Sequence, residues 1–168
     1  MEGSDQIGVK QRTRGGIVKS RILARGTMAS LNLDLSRRFY EELLGFECVR
    51  YARDGLLIRG PGDHPNGHRA GGPYWVIDVR EVATLDDPQN VLNHWGLDVP
   101  THEAVDQAHR MASEHAERFG LRKVVRPHQQ HGQYAFYLQD RDSNWWEYVC
   151  SSYAERTRMF GPEAGYGG

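Results

Sequence analysis

One order of elements occurs twice along this chain, and that repetition constrains the fold more than any single motif does. The first copy opens with the strand candidate Ile22 to Met28, followed by Asn32-Leu33-Asp34, whose side chains suit a helix N-cap and first turn. Leu35, Phe39 and Leu43 then recur at i, i+4 and i+8, the spacing of a helix with one apolar face, and Gly45 ends it. Three strand candidates follow, Phe46 to Tyr51, Gly55 to Arg59 and Tyr74 to Val79, separated by turn-rich sequence. The second copy repeats this order. His94 to Val99 is its first strand and Thr101 its N-cap; Val105, Ala108, Ala112, Ala116 and Phe119 mark the buried helix face, and Gly120 is its stop. Leu121 to Arg126, Gln133 to Gln139 and Trp145 to Cys150 are its last three strands.

A βαβββ module covers only one face of its sheet with its helix. Two copies therefore predict an α+β fold in which the bare faces line a half-open β-barrel cup with flanking helices, and the cup is where function belongs. The 168 residues make one domain. Residues 18–153 are expected to hold it, as modules over about 20–80 and 92–151, between a polar, glycine-containing arm (1–17) and a tail (154–168). Lys and Arg (21) balance Asp and Glu (22), so no overall field favours nucleic acid or anionic lipid. No apolar run is long enough for a membrane span, and no basic segment followed by an apolar one opens the chain; a cytoplasmic location is the expectation. Cys48 and Cys150 form no CxxC pair, which argues against a disulfide scaffold or a thiolate zinc site.

Chemistry concentrates in two places. In the segment from Tyr137 to Val149, the side chains of Asp140, Asp142, Ser143 and Asn144 suit a hairpin turn, and strand alternation then sends Trp145, Glu147 and Val149 to one face. An acid inside an aromatic strand is costly if buried alone, so Glu147 needs a cation, a metal or a protonated neighbour. His94 opens the second module and is the natural companion. One imidazole and one carboxylate are two thirds of a 2-His-1-carboxylate metal site, although a lone strand histidine also serves as an ordinary core residue.

The stretch Arg25-Gly26-Thr27 with Ser36-Arg37-Arg38-Phe39-Tyr40-Glu41-Glu42-Leu43-Leu44-Gly45-Phe46-Glu47 resembles the module-opening motif of the vicinal oxygen chelate superfamily. Asn93-His94-Trp95-Gly96-Leu97-Asp98-Val99 and Asp140-Arg141-Asp142-Ser143-Asn144-Trp145-Trp146-Glu147 resemble its second-module ligand strand and closing turn. The superfamily holds extradiol ring-cleaving dioxygenases, glyoxalases, epimerases, fosfomycin-inactivating transferases and metal-free drug-binding proteins, so the resemblance implies the fold more sharply than the reaction. It implies His94 and Glu147 as ligands of a divalent metal, with Fe(II) expected and Mn(II) or Zn(II) as alternatives, a small aromatic substrate, and a possible homodimer. Arg126 to Tyr137 resembles the extradiol dioxygenase region in which a histidine and a tyrosine face the substrate. That gives His131, His128 and Tyr137 as catalytic candidates, with a polar loop and ordinary packing as the alternatives.

One departure stands out. His94 lies seven residues before Thr101, and Arg25 lies seven before Asn32, so the first-strand ligand position holds Arg25. A guanidinium has no lone pair for a metal. The cup is therefore either a metal-free pocket in which Arg25 neutralises Glu147 and holds an anionic ligand, or a metal site whose third ligand comes from elsewhere. Asp78, near the symmetry mate of Glu147, is one such ligand, and an acid paired with Arg25 is the alternative reading. Substrate-binding candidates are Arg25, Trp95, Tyr134 and Trp145, with Phe136 adding to an aromatic lining. His64 and His68 read as solvated loop residues, and His102, His109 and His115 as structural helix residues. The leading expectation is an extradiol dioxygenase-like oxidoreductase acting on a catecholic substrate. The alternatives are a metal-free binding or sequestering protein and a glyoxalase-type isomerase or lyase.

Overall fold

A computed structural model of the chain describes residues 25–60, 76–85, 89–130 and 133–151. The arm, the tail, His64, His68 and His131 lie outside them. β1 (Arg25–Ser30) leads into α1 (Leu33–Arg38) through Asn32, whose side chain accepts a hydrogen bond from Leu35 N. The helix then widens into a π-helical turn over Phe39–Leu43. β2 (Glu47–Ala52), β3 (Gly55–Arg59) and β4 (Val76–Glu81) complete the module. In the second, β5 (His94–Asp98) is followed by α2 (His102–Glu114), capped by Thr101, and by the short α3 (Ala116–Phe119), which ends at the left-handed Gly120. The remaining strands are β6 (Lys123–Val124), β7 (His128–Gln130), β8 (Gln133–Gln139) and β9 (Trp145–Cys150).

The two modules form separate sheets with matching topology. The first has the order β1-β4-β3-β2 and the second β5-β9-β8-β6, with β7 also on the edge of β8. In each, the opening strand runs parallel to the last strand, and the other pairings are antiparallel. The fold is therefore α+β with two mixed sheets, and neither sheet closes into a barrel.

Local physics explains where the elements depart from the sequence reading. Leu35 is 38% exposed, while Leu33, Ser36, Phe39 and Tyr40 are buried. Leu44 N reaches back to Phe39 O, and this wide turn brings both Phe39 and Tyr40 inward. The strand expected over Leu121 to Arg126 shortens to β6, and β7 follows as a separate strand beyond that range. Pro127 stands between them with no N–H to continue the ladder.

Besides the Arg118–Glu42 ion pair and the edge contact of Phe39 with Phe119, three contacts among the described residues join the modules. Trp146, fully buried, lies with its ring centroid 5.7–6.2 Å from those of Phe39, Tyr40 and Phe46. The β8–β9 turn reaches across: Asp142 Oδ1 accepts from Leu31 N at 3.0 Å, Asp142 Oδ2 accepts from Ser36 Oγ at 2.7 Å, and Asn144 Nδ2 donates to Ala29 O at 3.2 Å. Gly26 and Trp95 supply the third. A Cβ built on Gly26 would sit 2.3 Å from Trp95 Cη2, so the two opening strands approach with only a hydrogen between backbone and ring.

Candidate functional site

Strand alternation sorts each sheet into a helix face and a bare face. In the second sheet Trp95, Tyr134, Phe136, Leu138 and Trp146 belong to the helix face, while His94, Gly96, Glu147 and Tyr137 belong to the other. The register fixes this: Gly96 lies opposite Glu147 on β9, and Tyr137 lies opposite it on β8. His94 and Glu147 meet on the bare face, with Nε2 3.3 Å from Oε2 and side chains 27% and 12% exposed. Among the described residues, a Cβ added to Gly96 would meet only Glu147 Oε2, at 3.5 Å.

The polarity of this pair is fixed from behind. His94 Nδ1 lies 2.7 Å from Val91 O, and a carbonyl oxygen only accepts, so Nδ1 carries a hydrogen. In neutral imidazole the Nε2 lone pair then faces a carboxylate. That arrangement is repulsive unless a proton or a metal ion sits between them, and backbone orientation of the remote nitrogen is the usual support of a metal-ligating histidine. Two donors each about 2.1 Å from one metal, at angles of roughly 90–110°, lie about 3.0–3.4 Å apart. The observed 3.3 Å fits that geometry.

Tyr137 closes the other side of Glu147, its hydroxyl donating to Oε1 at 2.7 Å. Burial, and then this bond to Glu147, push the phenol up to about 12, and in this geometry Tyr137 is the donor to Glu147. Gln130 Nε2 donates to the same hydroxyl oxygen at 2.5 Å, and Gln130 Oε1 lies 2.9 Å from His128 Nε2. Among the described residues, His128 thus reaches Glu147 through Gln130 and Tyr137.

The first sheet carries the mirror image with different chemistry. Thr27 lies opposite Asp78 as Gly96 lies opposite Glu147, so Arg25 and Asp78 occupy the places of His94 and Glu147. Arg25 Nη2 donates to Asp78 Oδ2 at 2.6 Å, Arg80 Nε reaches the same oxygen at 3.1 Å, and Tyr51 OH donates to Oδ1 at 2.7 Å. Burial pushes Asp78 up, but the Tyr51 hydroxyl and the two guanidinium groups outweigh it and hold the carboxyl below its ordinary range. Both oxygens of Asp78 are thereby engaged by donors, as expected of a paired acid and not of a metal ligand. Arg25 is held at Asp78, not at Glu147. The two guanidiniums remain about half exposed (54% and 44%), and with Asp78 they leave one net positive charge on the first module.

Several expected site residues lie elsewhere. Trp95 packs on Gly26 and the core, Tyr134 donates to Asp106 Oδ1 of α2 at 2.7 Å, and Phe136 stacks on Tyr148 at 5.1 Å. All three sit on the helix face, because each is an odd number of positions from a residue of the bare face. Trp145 stays on the bare face, its Nε1 donating to Gln89 O and its ring lying under Lys123. The expected aromatic lining is thus reduced to Trp145 and Tyr137. A groove of about 260 Å³ between α2 and the π-helical turn, lined by Leu43, Met111 and Tyr148, also belongs to the helix face and is separate from His94 and Glu147. Among the described residues no group of three or more His, Cys, Asp or Glu converges, and no helix is long and apolar enough to cross a membrane. Sequence reasoning passed over Gln130 and Arg80. Each stands two residues from a named candidate, His128 and Asp78, and so shares its face.

No protein-family model matches the chain, and no curated protein matches it. Solved structures do. FosX, the fosfomycin resistance protein of Listeria monocytogenes, crystallised as a point mutant with Mn(II) and dihydroxypropylphosphonic acid, aligns with a TM-score of 0.59 at 14% identity, covering 86% of this chain and 100% of that one. The chain has the vicinal oxygen chelate fold. Hypothetical protein SA1046 of Staphylococcus aureus (TM-score 0.58, 20% identity, 81% of this chain and 96% of that one) and a possible glyoxalase from Bacillus cereus (0.58, 17%, 78% and 100%) align similarly. The vicinal oxygen chelate fold accounts for the paired modules and for the bare faces on which His94, Glu147, Arg25 and Asp78 stand.

Proposed function

We propose that this chain is a metal-dependent enzyme that holds a small oxygen-bearing ligand at a divalent cation between His94 and Glu147, with ring opening of a catecholic diol as its reaction. The observation that carries the reading is the imidazole whose hydrogen is fixed on Nδ1 by Val91 O while Nε2 faces a carboxylate at 3.3 Å. His94 Nε2 and Glu147 Oε2 would hold the cation, and the space over Gly96 leaves its remaining positions to ligand and water. Mn(II) in FosX, a protein of the same fold, supports a divalent ion, and Fe(II) is the ion the dioxygenase reading requires. When bound, such an ion supplies a Lewis acid that lowers the charge cost of deprotonated ligand oxygens.

The protein's own groups do the rest. Tyr137 keeps its proton and fixes Oε1 of Glu147, leaving Oε2 toward the open space. Arg25 and Arg80, already anchored on Asp78, turn their remaining donors to the ligand and select one that carries a carboxylate or another anionic group. Among the described residues that touch Glu147, none keeps a free lone pair for a diol proton, since His94 offers Nε2 to the cation and Tyr137 holds its own proton on Glu147, so that proton passes to water, and His128 is linked to Glu147 through Gln130 and Tyr137.

The test is anaerobic titration of the purified protein with Fe(II) and Mn(II), followed by oxygen uptake on catechol and 3,4-dihydroxybenzoate. About one equivalent of metal is expected in the wild type, with loss in His94→Ala and Glu147→Gln. Less than about a tenth of an equivalent after iron loading, with no oxygen uptake, ends the proposal. One observation favours the metal-free alternative: Arg25 holds the first-strand position, and only two donors converge among the described residues. That reading requires binding of an anionic ligand to survive a chelator.

A further inference from the structure

The hydrogen-bond chain behind Glu147 has a direction that its chemistry determines link by link. Glu147 accepts, so the Tyr137 hydroxyl spends its only proton there. The Tyr137 oxygen must then accept from its second neighbour, which requires the NH₂ end of Gln130 to point at it, as it does. The Gln130 carbonyl is left facing His128 Nε2 at 2.9 Å, and His128 Nδ1 faces another acceptor, Arg126 O, at 3.2 Å. His128 Nε2 therefore donates to the Gln130 carbonyl. Turning the Gln130 amide around would put a carbonyl against the Tyr137 oxygen, and the single hydroxyl proton would have two competing acceptors.

We propose that Gln130 is the positioning residue of this site: its amide orientation, set by His128, decides whether the Tyr137 proton stays on Glu147. The inference rests on the reading of His94 and Glu147 as cation ligands for its consequence, but not for its geometry. A donor held on Oε1 leaves Oε2 as the oxygen free to ligate and fixes the carboxylate plane, which is how groups behind a ligand tune it.

Three variants separate this role from simple packing. Gln130→Glu places an acceptor against Tyr137 and should draw its proton away from Glu147. Gln130→Leu removes donor and acceptor together and should leave the proton on Glu147. Tyr137→Phe removes it outright. In Mn(II) titrations read by the electron paramagnetic resonance of the free ion, Gln130→Glu should change the affinity in the same direction as Tyr137→Phe and to within about threefold of it, while Gln130→Leu stays within about twofold of wild type. The double variant Gln130→Glu/Tyr137→Phe should add nothing to Tyr137→Phe alone. A merely structural Gln130 would make Gln130→Leu as damaging as Gln130→Glu, and that result overturns the proposal.

A second readout needs no cation. In metal-free protein carrying 13Cζ-tyrosine, Glu147→Gln should move the Tyr137 resonance in the wild-type and Gln130→Leu backgrounds but not in Gln130→Glu, where the hydroxyl no longer faces position 147. Equal movement in all three backgrounds refutes the role of Gln130. A wild type that binds no Mn(II) while this pattern holds would sink the cation reading and leave the positioning role standing.

Discussion

Asp142 is the residue whose removal most directly tests how the two modules are held together. Its carboxylate is buried, at 3% exposure, and takes one bond on each oxygen from the first module: Leu31 N at 3.0 Å and Ser36 Oγ at 2.7 Å. Behind Ser36 the order of donors is forced, since Ser36 Oγ lies 2.9 Å from Ser30 Oγ, which in turn accepts from Asn32 N at 3.1 Å. Ser30 must donate to Ser36 so that Ser36 can donate to Asp142. Asp142→Ala removes two hydrogen bonds to a charged acceptor, each worth about 1.5–3 kcal/mol, and leaves Leu31 N without its partner; the expected cost is about 3–5 kcal/mol. With an m-value of about 2 kcal/mol/M this moves the urea midpoint down by about 2 M. Asp142→Asn should cost only about 1–2 kcal/mol, because the amide oxygen still accepts from Leu31 while its NH₂ end faces Ser36. The Ser36→Ala/Asp142→Ala cycle should return a coupling of about 1.5–3 kcal/mol. A loss below about 1 kcal/mol for Asp142→Ala, or additive single variants, would refute the idea that this turn clamps the modules.

The same turn carries a pH signature. Burial pushes the Asp140 carboxyl up to about 6 against an ordinary 3.8, partly opposed by donation from Trp146 Nε1 and Asn144. A raised folded-state value means that the native state binds the proton more tightly. The stabilisation this provides is complete below about pH 3.8 and is lost as pH rises through about 6. Relative to Asp140→Asn, which cannot titrate, wild-type stability should fall by about 3 kcal/mol between about pH 4 and pH 7 in urea titrations, and a flat difference would show that the burial cost is not felt there. Gly26→Ala places a methyl group against the Trp95 ring and should cost about 1–3 kcal/mol while shifting tryptophan emission to longer wavelength; unchanged stability would mean that β1 and β5 are not locked together at this point. Arg80→Ala should weaken 3,4-dihydroxybenzoate at least about fivefold relative to catechol, and equal loss for both ligands would remove Arg80 from recognition.

Much of the fold is legible because the repeat is carried by short-range chemistry. Caps at Asn32 and Thr101, stops at Gly45 and Gly120 and the period-two strands are written in neighbouring residues. Their equal spacing also sets Arg25 against His94 and Asp78 against Glu147 before any coordinate is known. Face assignment within the second module was equally available, since His94 and Trp95 are adjacent on one strand and cannot share a face; of the aromatic lining expected from Trp95, Trp145 and Phe136, parity leaves Trp145 alone on the bare face. The reach of Asp142 to Leu31 and Ser36 was not available, because those partners are separated by 111 and 106 positions and meet only through module docking. Gln130 was missed for a different reason: an uncharged amide attracts no notice until the polarity of its neighbours shows which way it must point.

The two acids at matching places have unequal fates. Asp78 is satisfied by three donors of its own module, so that wall of the concavity reaches its final state when the chain folds and stays indifferent to what arrives. Glu147 is left with one oxygen facing His94 Nε2 at 3.3 Å. The repeated module thus ends in one wall whose acid is already paired and one whose acid still has an oxygen turned toward an imidazole.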